Sequence, residues 1–189
     1  MAKTILGGLT PVRKKDNSPN TGGLTRYEIA SGYASNIFQG TPVQMVGTGY
    51  IEVAAAGQRV LGVAMGFEYV DAQGKVVQAK YFPTGTTAPA GTKIYVLVNE
   101  ATNMLYAVQS DEALDQGDVG GIFTTTTLNG GTVANGRSNV KLDGSSAPAS
   151  EAAAVLRVIN VSGDPENDIT DADAVVLVEF VNPGIGATA

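Results

Sequence analysis

Histidine, cysteine and tryptophan are all missing from this chain of 189 residues. Without histidine it lacks the side chain that titrates most easily near neutral pH, and with it the commonest transition-metal ligand. Without cysteine there is no thiolate nucleophile, no thiolate metal site and no disulfide framework. Stability has to come from packing, hydrogen bonds or association, and the lack of cysteine suits folding in a reducing cytoplasm. Without tryptophan the best aromatic platform for sugars or bases is gone. Charged residues are sparse, at 16%. The run Met1–Gly8 is too short in apolar residues for a signal peptide. No stretch approaches the roughly 18 apolar residues of a membrane span. The chain is therefore expected to be made in a cytoplasm and to have no membrane partner.

What is present points to strands. There are 24 glycines and 8 prolines, and 43% of residues are hydrophobic. With many Thr and Val residues, this composition favours short strands joined by tight turns. Runs of this type occur at 41–46, 50–54, 59–64, 75–82, 93–98 and 105–109, then at 122–128, 155–161 and 174–181. Their close spacing predicts an all-β fold, a compact sandwich or barrel with one or two short helical turns. Within 75–82, Val77, Ala79 and Tyr81 share the face better suited to the core. The continuous apolar run Val175–Val178 reads as a central strand. Helical turns are expected in the acidic stretch 110–118 and in the Ala-rich stretch 148–154. The body is expected over 31–182, as one domain or as two subdomains divided near 110–118, with a tail at 183–189.

Residues 1–30 read as an extended arm. Residues 1–23 hold Gly7-Gly8, Pro11, Pro19 and Gly22-Gly23, with few large apolar anchors. Ordering each backbone residue costs roughly 1–2 kcal/mol, so the arm either stays mobile or orders against another chain, for example by adding a strand to a sheet edge. A frayed terminus without a role is the plain alternative. On the first view, removing residues 2–23 leaves the body folded. The stretch 1–30 carries a net charge of +3, from Lys3, Arg13, Lys14, Lys15 and Arg26 against Asp16 and Glu28. The whole chain carries −6, so the remainder is strongly acidic. An acidic body disfavours nucleic acid as a partner, and a basic arm on it reads as a tether to an acidic protein surface.

Two stretches resemble sites and each has a simpler reading. Gly131–Ser138 approaches a phosphate-binding loop, but Arg137 stands where lysine belongs and a strand, not a helix, is expected to follow. Asp164, Glu166, Asp168, Asp171 and Asp173 crowd one segment, yet an EF-hand beginning at Asp164 would need Gly and Glu where Ile169 and Val175 stand. An irregular calcium loop and a solvated acidic connection both remain open there, the second being the simpler. No Gly-x-Ser-x-Gly elbow occurs, and no histidine exists to serve as base. Enzyme activity, cofactors and a resident metal are not expected.

One resemblance covers most of the chain. Ser31–Val43 leads into Ile51–Gly57, then Val60–Ala64 and Glu68–Lys75, with later echoes at Tyr81–Thr86, Val108–Asp111, Asp118–Gly120, Gly136–Ser138, Leu156–Ile159 and Pro165–Asp168. In order and over residues 24–182, these segments resemble a family of tailed-bacteriophage virion proteins, the head decoration or cement proteins. The resemblance implies a structural protein on the capsid surface, self-associating as a trimer and bound to the major capsid protein. On that reading Ile5, Leu6 and Leu9 fill apolar grooves of the shell, while Arg13, Lys14, Lys15 and Arg26 meet its acidic groups. The rivals are another virion part (tail tube, adaptor or fibre base), a carbohydrate- or cell-surface-binding β module, which predicts exposed tyrosine clusters, and a carboxylate-type enzyme.

Overall fold

The computed structural model describes residues 7–55, 58–145 and 155–184. The candidate contacts Ile5 and Leu6 and the helix expected at 148–154 lie outside the described residues. Within them the fold is all-β: there is no α-helix, and two short 3-10 turns occur at Ala101–Asn103 and Gln116–Asp118. Two six-stranded antiparallel sheets form a sandwich-like arrangement, and neither closes into a barrel.

The first sheet takes most of the first hundred residues. β2 (Thr25–Ile29), β9 (Ile94–Glu100), β6 (Gly62–Val70), β4 (Pro42–Met45) and β5 (Ile51–Val53) follow one another across it, and β7 (Val76–Ala79) pairs with the far end of β6. β6 runs on from the expected 59–64 stretch to Val70, through a bulge between Ala64 and Gly66. Gly62 is needed where β6 meets β9, because a Cβ there would stand 2.1 Å from the Asn99 carbonyl oxygen. The face expected from 75–82 holds only in part. Val76 is exposed and Val77 and Ala79 are half-buried, as alternation predicts. At Lys80 the strand breaks, and a separate β8 (Tyr81–Phe82) pairs with β3 (Ile37–Phe38). The break reverses the alternation: Phe82 is fully buried and Tyr81 only half-buried. Phe82 then packs beside Tyr33, Phe67 and Tyr69 in the core of the first sheet.

In the second sheet the order is β1 (Thr10–Lys14), β10 (Met104–Gln109), β16 (Val175–Phe180), β15 (Leu156–Val161), β11 (Ile122–Thr125) and β14 (Leu142–Asp143). β16 is an interior strand, as expected, but its burial alternates: Val176, Val178 and Phe180 are buried while Val175 and Leu177 are half-covered. That is the pattern of an antiparallel strand with one face on the core. The chain changes sheet at Ala101–Asn103, ahead of the acidic stretch 110–118. Tyr106, wholly buried against Phe180, donates its hydroxyl to the carbonyl oxygen or side-chain oxygen of Asn99 on β9, both 3.0 Å away. That hydrogen bond joins the two sheets at their shared turn.

The N-terminal stretch is the main departure from expectation. Residues 10–14 and 25–29 are edge strands of this chain's own sheets, one in each, and residue 9 is core. Leu9 is 1% exposed and its N–H donates to Gly40 O at 3.0 Å. The chain reaches that position because three glycines meet there. Gly8 and Gly40 have left-handed φ values of 70° and 93°, and a Cβ on Gly40 would lie 2.3 Å from the Gly7 carbonyl oxygen. Glycines that read as flexible in the sequence are points of close backbone approach.

The stretch 131–138 is not a bare loop. β12 (Gly131–Thr132) and β13 (Arg137–Ser138) pair as a hairpin, and the next element among the described residues is a short strand, Leu142–Asp143, not a helix. Gly131 lies against the Phe38 ring and Gly136 against Lys80 Cβ. The hairpin therefore packs on β3 and on Lys80 just ahead of β8, so the later half of the chain covers part of the earlier half.

Candidate partner-binding surface

The two N-terminal edge strands frame one surface. β9 and β10 are joined by the short turn between the sheets; β2 lies outside β9 and β1 lies outside β10. Where these four strands converge there is a cleft of about 330 Å³, lined among others by Lys14, Thr25, Asn99, Glu100, Asn103 and Met104. Leu24 stands between Gly23 and Thr25, which both line the cleft, and Val12 lies on β1; they are turned to solvent, 40% and 43% exposed. They are two of only five large apolar side chains so exposed among the described residues, the others being Tyr50, Val76 and Val133. Burying such side chains on association is favourable by roughly 25 cal/mol per Å².

The seven residues singled out from the sequence fare differently. Leu9 is committed to the core and cannot reach a partner. Lys15 forms an ion pair with Glu179 at 2.8 Å, and Arg157 donates to the same carboxylate at 3.0 Å. Burial alone would raise the Glu179 pKa, but Lys15 and then Arg157 outweigh it and hold the carboxyl below its ordinary value. Arg13 donates to Asn17 within its own turn, and its Nε is buried without a hydrogen-bond partner among the described residues. Arg26 pairs with Glu68 and lies 3.6 Å from the centre of the Tyr95 ring. Lys14 forms no ion pair among the described residues and faces the cleft. Lys15 and Arg26 thus secure the N-terminal strands to the body, while Arg13 bonds only within its own turn. Lys14 lines the cleft, and Arg26 stays half-exposed.

The two edges are blunted against further strand pairing. β1 carries Pro11 and a bulge between Pro11 and Arg13, and β2 carries Arg26 and Glu28, which pair with Glu68 and Lys93. Proline, bulges and charges at sheet edges oppose strand addition. A partner here is met by side chains. At the inner end of β2, Tyr27 donates to Glu100 at 2.8 Å; burial, that hydrogen bond and the Glu100 charge push the phenol up to about 12.

The acidic loop is organised around its own backbone. Asp164 accepts from the Glu166 N–H at 3.0 Å, and Asp168 accepts from the N–H and hydroxyl of Thr170 at 2.9 and 2.8 Å. Asp173 pairs with Lys141. No cluster of three acidic residues positioned for a metal occurs among the described residues. Of the seven tyrosines, Tyr50 alone is exposed and the rest are half-buried or buried, so no exposed tyrosine cluster is formed. No family model, no curated protein and no solved structure matches this chain.

Proposed function

We propose that this chain is a capsid decoration protein of a tailed bacteriophage. In this reading it is a non-enzymatic homotrimer that binds the outer head and strengthens contacts between major capsid proteins. The resemblance over residues 24–182 motivates it. The observation that carries it is the placement of the N-terminal stretch. A basic segment on an acidic chain supplies an edge strand to each sheet, with Val12 and Leu24 exposed and Lys14 lining the cleft where the two edges converge. That strip offers apolar anchors with a cationic rim, which suits an acidic protein surface.

The strip is too small to bind tightly alone, because a stable interface buries roughly 1,600 Å² in total. Repetition compensates: when several copies are linked, each weak contact raises the effective concentration of the next. A cement protein needs only this, since outward pressure on the shell must then break more contacts. Imaging gold-labelled protein on particles that contain it tests the assignment. Label over the whole head is expected. Label confined to one vertex would reassign the chain to the tail, and absence from purified particles would end the virion reading.

A further inference from the structure

A second pocket, of about 300 Å³, shares no lining residue with the first and lies between Gly7, the end of β10 and the β12–β13 hairpin. Its polar lining comes from Gln109, Thr132, Asn135, Arg137, Asn139 and Lys141, and no aspartate or glutamate contributes to it. That is unusual for a chain in which 18 acidic residues outnumber 12 basic ones. Lys141 is paired with Asp173, so its charge is partly spent. Arg137 forms no ion pair among the described residues. Its aliphatic stem lies over Gly7, where an added Cβ would meet the Arg137 Cβ and Cδ at 2.6 Å. Packing therefore holds the stem of a side chain that lines the pocket.

At the floor sits Gln109, only 3% exposed. Its side-chain amide has no hydrogen-bond partner among the described residues, yet neither of its polar atoms is sealed off. The amide is almost enclosed yet reachable from the pocket, so it is placed to be satisfied by something that enters. Asn135 accepts the Arg137 N–H at 2.9 Å through its side-chain oxygen, which leaves its amide N–H groups for another acceptor.

We propose that this pocket binds an oxyanion, with Arg137 supplying the charge-assisted contact and the Gln109 amide the buried donor. A guanidinium fork and converging amide N–H groups match the oxygens of a carboxylate or a phosphate. The pocket is larger than either group, so the oxyanion is carried by a larger molecule or accompanied by water. The site does not depend on the virion reading.

Titration of the full-length protein with inorganic phosphate and, separately, with acetate, at constant ionic strength, tests it. Chemical shifts of the Gln109 side-chain amide and Arg137 Nε–H are the readout. A saturable shift of both signals is expected with at least one probe, and the better probe identifies the oxyanion. Arg137→Gln is expected to weaken that binding about tenfold or more, and Gln109→Glu to abolish it, with the remaining amide spectrum unchanged. Arg137 is exposed, so its variant remains informative even if the buried substitution disturbs folding. Linear, unsaturable shifts with both probes, or unaltered binding by Arg137→Gln, would overturn the proposal.

Discussion

Single residues decide where the N-terminal chain can pass. At Gly40 a left-handed backbone and a neighbouring carbonyl oxygen leave no room for a methyl group. Gly40→Ala is expected to destabilise the fold by at least about 3 kcal/mol, combining left-handed strain with overpacking. Urea unfolding measures this, and a loss under about 1 kcal/mol would contradict the crossing. The adjacent residue gives the opposite expectation. Thr41 is fully buried and its hydroxyl has no partner among the described residues. Thr41→Val exchanges that hydroxyl for a methyl group of similar shape, so stability should stay level or rise by up to about 1 kcal/mol. Neither effect was legible in the sequence. A glycine chosen for flexibility and one chosen for close approach look alike, and Gly40 lies far along the chain from the glycines it meets.

Among elements, legibility followed alternation. β4, β5, β9, β10, β15 and β16 fall inside or beside runs read from residue 41 onward, because Val, Ile and Thr alternate there between turn residues. β1 to β3 escaped notice: β1 and β2 mix charged with apolar residues, β3 is only two residues long, and all three pair with strands distant in sequence. The same long-range pairing determines what β1 does. It is held to the sheet by ladder hydrogen bonds, by Leu9 in the core and by the Lys15–Glu179–Arg157 cluster. Removing residues 2–23 would therefore take away a strand and a core side chain, contrary to the expectation of a dispensable arm. Leu9→Ala alone should cost about 2–5 kcal/mol, read as a lower urea midpoint.

The charge cluster adds a pH signature at this scale. The Glu179 carboxyl has a lower pKa folded than unfolded, so its contribution is complete above its unfolded value, about 4.3. It is lost as pH falls through the lower folded value. With partners this exposed, the contribution is at most about 1 kcal/mol. Wild type and Glu179→Gln should differ in unfolding free energy at pH 7, and the gap should narrow toward pH 3. A gap that widens on acidification would show that the cluster does not stabilise the fold.

At the level of the whole molecule, two open sheets share a turn, a tyrosine hydrogen bond and a covering hairpin. Their N-terminal edges, β1 and β2, are protected against strand addition, so a partner at those edges is met by side chains on a folded body. The all-β class was readable from composition and turn spacing, whereas the exposure of the N-terminal side chains was not. Leu9 was read as outward-facing and is core, while Val12 and Leu24 are among the exposed apolar residues, visible only once both edges are placed.

The central claim is that this edge meets an acidic shell. Its most direct test is a reconstruction, at side-chain resolution, of virus particles that carry the protein. The account predicts all-β bodies on the outer head, with Val12, Lys14 and Leu24 buried against capsid protein. Bodies seated on the head with β1 and β2 facing solvent would contradict it.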